Sequence, residues 1–208
     1  DATALYYAAT FHLQRHFSNN FSVNGGVTWS KDYDNDSNER NFSGIQAEDY
    51  NNLDLNWGPS ARDQTWKASV SAVWDTPFWG IGASGSFTYN TGNTRNPIVN
   101  SDLNQDGVSG TDRPTNLENG NHFDRNSYRQ PNFRQLNLRL SKGFRIGPGD
   151  LTALIECFNC ANSPNRFYPS NVWGNNRSGT SWPAASTFTA LTGVGTPRTF
   201  QIAGRYDF

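Results

Sequence analysis

An all-β fold is predicted by three observations: an antiparallel transmembrane β-barrel segment of about seven strands, with short periplasmic turns and long extracellular loops. Seven segments alternate apolar and polar residues with period two, the connections between them are short and long by turns, and aromatics gather at strand ends. Strands are expected near 2–17, 21–31, 64–76, 79–91, 133–146, 150–159 and 198–208. Hydrophobic residues make up only 35% of the 208, yet aromatics make up 14%. Disorder explains the first value but not the second. A sheet with one apolar and one wet face explains both.

The first segment sets Leu5, Tyr7, Ala9, Phe11, Leu13 and Phe17 against Tyr6, Thr10, His12, Gln14 and His16. The second sets Phe21, Val23, Gly25, Val27 and Trp29 against Ser22, Asn24, Thr28 and Ser30. The third alternates from Trp66 to Trp74, with Lys67, Ser69, Ser71 and Asp75 on its polar face. The fourth carries Ile81, Ala83, Phe87 and Tyr89, and the fifth Leu136, Leu138, Leu140 and Phe144. In the sixth, Leu151, Ala153, Ile155 and Cys157 form the apolar phase, blurred by Leu154 and Phe158. The seventh alternates Phe200, Ile202, Tyr206 and Phe208 with Gln201, Arg205 and Asp207.

The short connections are Ser18–Asn20, Thr76–Trp79 and Gly147–Gly149; the long ones are 31–63, 91–132 and 160–197. Loops of that length are uncommon in compact domains, and outer-membrane barrels sort theirs in this way. The last strand then descends to the periplasm. An odd count ending there is expected of a piece of a larger barrel whose preceding strand came up on the outer side. The chain contains no methionine and starts inside a strand-like pattern, as expected of a processed product or fragment. Aromatics such as Phe17, Trp74, Trp79 and Phe144 fall at one rim, and Tyr7, Trp29, Trp66 and Tyr89 at the other, as two interfacial girdles would. No run of about 18 apolar residues offers a transmembrane helix. Net charge is −1 with scattered Arg and Lys, which argues against a nucleic-acid partner.

Candidate chemistry is sparse. Asp102-x-Asn104-x-Asp106-Gly107, with Asp112 beyond, spaces oxygen ligands as calcium loops do. Arg113 stands where an EF-hand would place its final Glu, and a hydrated loop of Asx turns fits the same residues. Asp32, Asp34, Asp36 and Glu39 read as a solvated acidic loop face, with cation bridges to lipopolysaccharide phosphates as the alternative. His12 and His16 share a strand face about 13 Å apart, too far for one metal; the remaining histidine is His122. Lys67, Arg139, Glu156 and Arg205 are expected to form a polar lumen network. Cys157-Phe-Asn-Cys160 lacks the βαβ context of a redox site, leaving a local disulfide or two plain thiols. No nucleophile–base spacing or phosphate loop occurs, so an enzyme is not expected.

Four stretches carry a family resemblance. They are Tyr7–Ser22 with Val27-Thr-Trp-Ser-Lys31; Tyr50–Ser60 with Asp63 and Trp74-Asp-Thr-Pro-Phe78; Asp102–Gly107 with Asp112-Arg-Pro114 and Arg125-Asn126; and Phe133–Lys142 with Glu156–Asn159 and Gly195–Arg198. In this order and spacing the chain resembles the C-terminal part of Oar-like TonB-dependent outer-membrane receptors, of the type bearing a carboxypeptidase-regulatory-like domain. The resemblance covers almost the whole chain. It implies that residues 1–208 form the wall and loops of a receptor in the outer membrane of a Gram-negative bacterium, its ligand unidentified. Implied partners are outer-membrane lipid and lipopolysaccharide, the remaining barrel strands and plug on the same or another chain, TonB through that plug, and the barrel-assembly machinery. Gln201, Tyr206 and Phe208 fit the assembly signal, whereas Ala203 stands where Gly is usual. Plug, TonB-interacting segment and most of the family's roughly 22 strands are not among these residues. A structural or adhesive barrel component without transport is the competing reading.

Overall fold

The structure is a computed structural model that describes residues 2–37, 47–49, 51–108, 110–114, 123–168, 170–174, 188 and 190–208. Seven long strands form one antiparallel sheet: β1 (Ala4–Ser18), β2 (Phe21–Asp34), β4 (Trp66–Asp75), β5 (Ile81–Asn90), β8 (Phe133–Ile146), β9 (Gly149–Phe158) and β10 (Thr199–Asp207). Their order in the sheet is their order in the chain. Two-residue β3 (Gly58–Pro59) adds to β2, while β6 (Thr94–Arg95) and β7 (Tyr128–Arg129) pair with each other in a loop. β2 runs on to Asp34 rather than ending at Lys31. No described helix is long and apolar enough to cross a membrane.

The register keeps one phase across the sheet except in β1, where it shifts between Arg15, opposite Val23, and Ser18, opposite Phe21. Phe11 lies opposite Val27, Val27 opposite Ala68, and Ala68 opposite Tyr89. Farther along, Phe87 faces Leu136, Leu140 faces Ile155, and Ile155 faces Ile202. Cross-strand neighbours on one face sit about 5 Å apart, so the seven apolar phases fuse into one continuous surface. Much of that surface lacks a protein cover: Phe11, Leu138, Leu140, Ile155, Phe200 and Ile202 are all exposed. Leu154 and Phe158, which blurred the sixth segment, fall in the opposite phase, opposite Ser141 and Thr199.

The three short connections sit at one end. Asn19 and Asn20, with φ of 51° and 62°, close β1–β2 as a two-residue turn, since Ser18 pairs directly with Phe21. Positive φ at both positions matches strand twist, and Asn tolerates that region better than other non-glycine residues. Substituting Asn20→Val should therefore lower stability by about 1–2 kcal/mol, read as an earlier urea midpoint in detergent, whereas Asn20→Gly should leave it nearly unchanged. Gly147 (φ +62°) and Pro148 turn β8 into β9, where Ile146 pairs with Gly149. Trp79 is held at φ 52° and is 84% exposed at this rim.

The sheet is not closed on itself: β1 pairs with β2 alone and β10 with β9 alone among the described strands. The largest buried side chains belong instead to the long connections, among them Val99, Asp63, Asp112 and Ser60. The core of these residues is thus the loop assembly at the other end of the sheet.

Candidate functional site

Three connections, following β2, β5 and β9, converge at that end. Their interior is polar, so it must be held by paired charges and hydrogen bonds rather than apolar burial. Arg125 is the central clamp. Its Nη1 donates to the Asp34 carbonyl at 2.6 Å, to Asp34 Oδ1 at 2.5 Å and to the Asn56 carbonyl at 3.1 Å. Its Nη2 donates to Ser37 Oγ at 2.5 Å, and Ser37 Oγ donates in turn to Asp34. A Cβ on Gly58 would lie 2.9 Å from the Arg125 carbonyl, so glycine is what admits the Arg125 backbone here. Asn126 Nδ2 donates to the Pro59 carbonyl at 2.7 Å.

Two further arginines repeat the theme. Arg113 is paired with buried Glu48 through Nε at 2.5 Å, and its backbone N–H donates to Glu48 Oε1. Arg129 is paired with buried Asp63, whose other oxygen accepts from the Asp32 amide at 2.9 Å. Each pair ties the second long connection to the first. The third is tied by Gln130 and Tyr168, which exchange side-chain amide and backbone hydrogen bonds at 3.0 and 2.7 Å. Asn159 fastens its base, donating to the Ser163 and Thr196 carbonyls at 2.8 and 2.9 Å. Cys157 and Cys160 are joined as a disulfide there.

An aromatic cluster completes the assembly. Trp173 packs edge-on against Phe123 and Phe188 with centroids 5.0 and 4.9 Å apart, and Tyr128 meets Phe188 at 5.2 Å. Burial raises the Tyr128 phenol above its ordinary pKa. The Arg95 guanidinium lies over Phe188 at 3.9 Å and over Tyr168 at 4.7 Å. A cavity of about 370 Å³ opens between the loops, lined among others by Asn35, Glu48, Arg95, Asn96, Arg125 and Asn126.

The sequence candidates fall as follows. Asp102, Asn104, Asp106 and Asp112 do share one loop. The Asn104 and Asp106 side chains accept from amides two residues on, at 3.1 and 2.8 Å, as Asx turns. Asp102 accepts from Asp106 and Gly107, and buried Asp112 from Leu103 and Asn104. No group of three or more His, Cys, Asp or Glu among the described residues has a metal-holding arrangement. The acidic run is corrected: Asp34 is buried within β2 against Arg125, so the run is not one solvated face, although Asp36 is exposed. Glu39 and His122 lie outside the described residues. His12 bonds Asn24 at 2.8 Å on the polar sheet face. Arg139 pairs with Glu156 at 2.6 Å on that face, whereas Arg205 pairs with Asp207 at 2.8 Å, giving separate pairs rather than one network. Gln201 lies opposite Glu156, the Tyr206 hydroxyl donates to the Ile146 carbonyl at 3.1 Å, and Phe208 is fully exposed.

Glu48, Arg95, Arg129 and the four-aromatic cluster carried no local signal. Their partners lie tens of residues away, within polar stretches where one Arg looks like any other. Asp63, Asp112-Arg113 and Arg125-Asn126, by contrast, are motif residues that prove to be loop clamps.

Residues 1–124, more than half of the chain, match a family model described as "Outer membrane beta barrel domain". No curated protein and no solved structure matches. With a continuous exposed apolar face, short turns at one end and long loops at the other, the chain belongs to the outer membrane β-barrel domain family, and its sheet is barrel wall in the outer membrane.

Proposed function

We propose that this wall and its loops are the C-terminal part of a larger barrel, an Oar-like TonB-dependent receptor that captures a ligand outside the cell and passes it inward. The convergence of three long connections on one cavity at the loop end of the sheet carries this reading. A merely structural wall needs no such shared interior. The unpaired edges of β1 and β10 support a larger barrel, because a free strand edge invites pairing. The plug and the contact with TonB come from residues beyond these strands, on the same or another chain. Lipid and lipopolysaccharide surround the apolar face, and the barrel-assembly machinery reads the Gln201, Tyr206 and Phe208 strand. The role is one of binding and passage, not catalysis.

The test is in cells that depend on the intact parent protein for a solute. Removing TonB should abolish uptake while the barrel stays in the membrane. Uptake that persists without TonB, or no defect on deleting the protein itself, overturns the reading in favour of a structural or adhesive barrel.

A further inference from the structure

Among the described residues, four charged side chains line the loop cavity: Asp36, Glu48, Arg95 and Arg125. Three are already partnered, Arg125 by Asp34, Glu48 by Arg113, and Asp36 by contacts of its own. Arg95 differs. It is only 6% exposed, and no carboxylate pairs with it among the described residues. Its Nη1 donates to the Phe188 carbonyl at 2.9 Å, and its buried Nη2 has no hydrogen-bond partner among the described residues. The rings of Phe188 and Tyr168 hold the guanidinium in place. Such contacts recover less than a buried cation loses in hydration. Burial accordingly lowers the Arg95 pKa from its ordinary value, with Tyr168 acting the other way. The site is a preorganised cation with no counter-ion among the described residues.

The neighbouring groups narrow what the counter-ion belongs to. Asn96 uses its Oδ1 to accept from the Asn126 amide, and its Nδ2 makes no hydrogen bond among the described residues. Asn126 uses Nδ2 on Pro59, and its Oδ1 accepts none among the described residues. A cation, an amide donor and an amide acceptor therefore share one cavity of about 370 Å³, a volume within the roughly 300–1,000 Å³ of small-molecule sites. Amides that both donate and accept match hydroxyl groups, which do the same.

The geometry points to this cavity as the capture site for a hydroxyl-bearing carboxylate, such as an acidic sugar, with the carboxylate balancing the charge of the Arg95 guanidinium that lines it and Asn96 and Asn126 meeting the hydroxyls. The inference rests on the receptor reading for the source of the ligand, but the binding chemistry needs neither TonB nor a plug. Attraction to a desolvated guanidinium, little screened by water, supplies the preference for the anion. The Arg95 fork is fixed by its two rings, so little side-chain entropy is lost on binding.

The probes are D-galacturonate, D-galactose and inorganic phosphate, titrated by calorimetry against the intact parent protein extracted from native outer membrane. Galacturonate should bind at least about tenfold more tightly than galactose, which has a hydroxymethyl group in place of the carboxylate. Arg95→Gln should erase that preference, while Arg95→Lys, which keeps the charge but not the planar fork, should retain part of it. Equal binding of galacturonate and galactose, binding of neither, or an unchanged preference in Arg95→Gln overturns the proposal. Phosphate binding as tightly as galacturonate overturns the carboxylate assignment. Should Arg95→Gln lose its loop structure, the wild-type preference and the lysine variant still decide. Carboxylate preference with TonB-independent uptake would sink the receptor reading alone. TonB-dependent uptake without carboxylate preference would sink this site alone.

Discussion

Replacing Arg125 with leucine is expected to release the outer loops while leaving the wall folded. Arg125 is buried and donates to the Asp34 carboxylate and to the Asp34 and Asn56 carbonyls. Leucine would leave the buried Asp34 carboxylate with Ser37 as its remaining side-chain partner of this clamp. Removing one member of a buried pair costs about 3–5 kcal/mol, because the other charge stays desolvated. That loss should appear as faster amide exchange and new protease cuts around residues 47–65. The wall strands, which share few of these bonds, should keep their protection. The double substitution Arg125→Leu with Asp34→Leu should recover much of the loss, since no orphan charge remains. Unchanged exchange in the single variant would mean that the clamp contributes nothing, contrary to its geometry. Recovery in the double variant would also separate the electrostatic cost from simple loss of side-chain volume.

The second large effect belongs to the wall. Val70 sits midway along β4, opposite Gly25 and Phe87 on the apolar face. Ser71, the next residue, lies opposite Asn24 and Ser86 on the polar face. Arginine at Val70 must enter hydrocarbon, at a cost of about 2–4 kcal/mol near the bilayer midplane. Arginine at Ser71 enters a wet lumen and should cost less than about 1 kcal/mol. Reversible urea unfolding of the intact barrel in lipid vesicles measures both. Equal costs at the two adjacent positions would show that the face assignment is wrong. The comparison is demanding because the two sites are adjacent in sequence and receive the same side chain.

The wall was legible because its information is local. Alternation such as Trp66-Lys-Ala-Ser-Val-Ser-Ala-Val-Trp74 states which face each residue takes, and a strand's pleat carries that out without reference to the rest of the chain. The turns were legible for the same reason: Asn19-Asn20 and Gly147-Pro148 declare their own φ angles. The sixth segment was harder, because Leu154 and Phe158 sit on the wet side and only the register with Ser141 and Thr199 places them. The acidic run failed for a different cause. Asp34 looked solvated because its partner, Arg125, lies 91 residues away.

The sequence by itself determined the all-β class, the seven strands with their faces, and the sorting of short and long connections. Each follows from nearest-neighbour chemistry repeated along the chain. Only the tertiary structure decided that the long connections share a buried polar interior, that Arg113, Arg125 and Arg129 clamp it, and that Arg95 meets no carboxylate among the described residues. Those facts depend on which charges meet across distant segments. Alternation encodes a face, but a loop charge carries no mark of its partner until folding brings the two together.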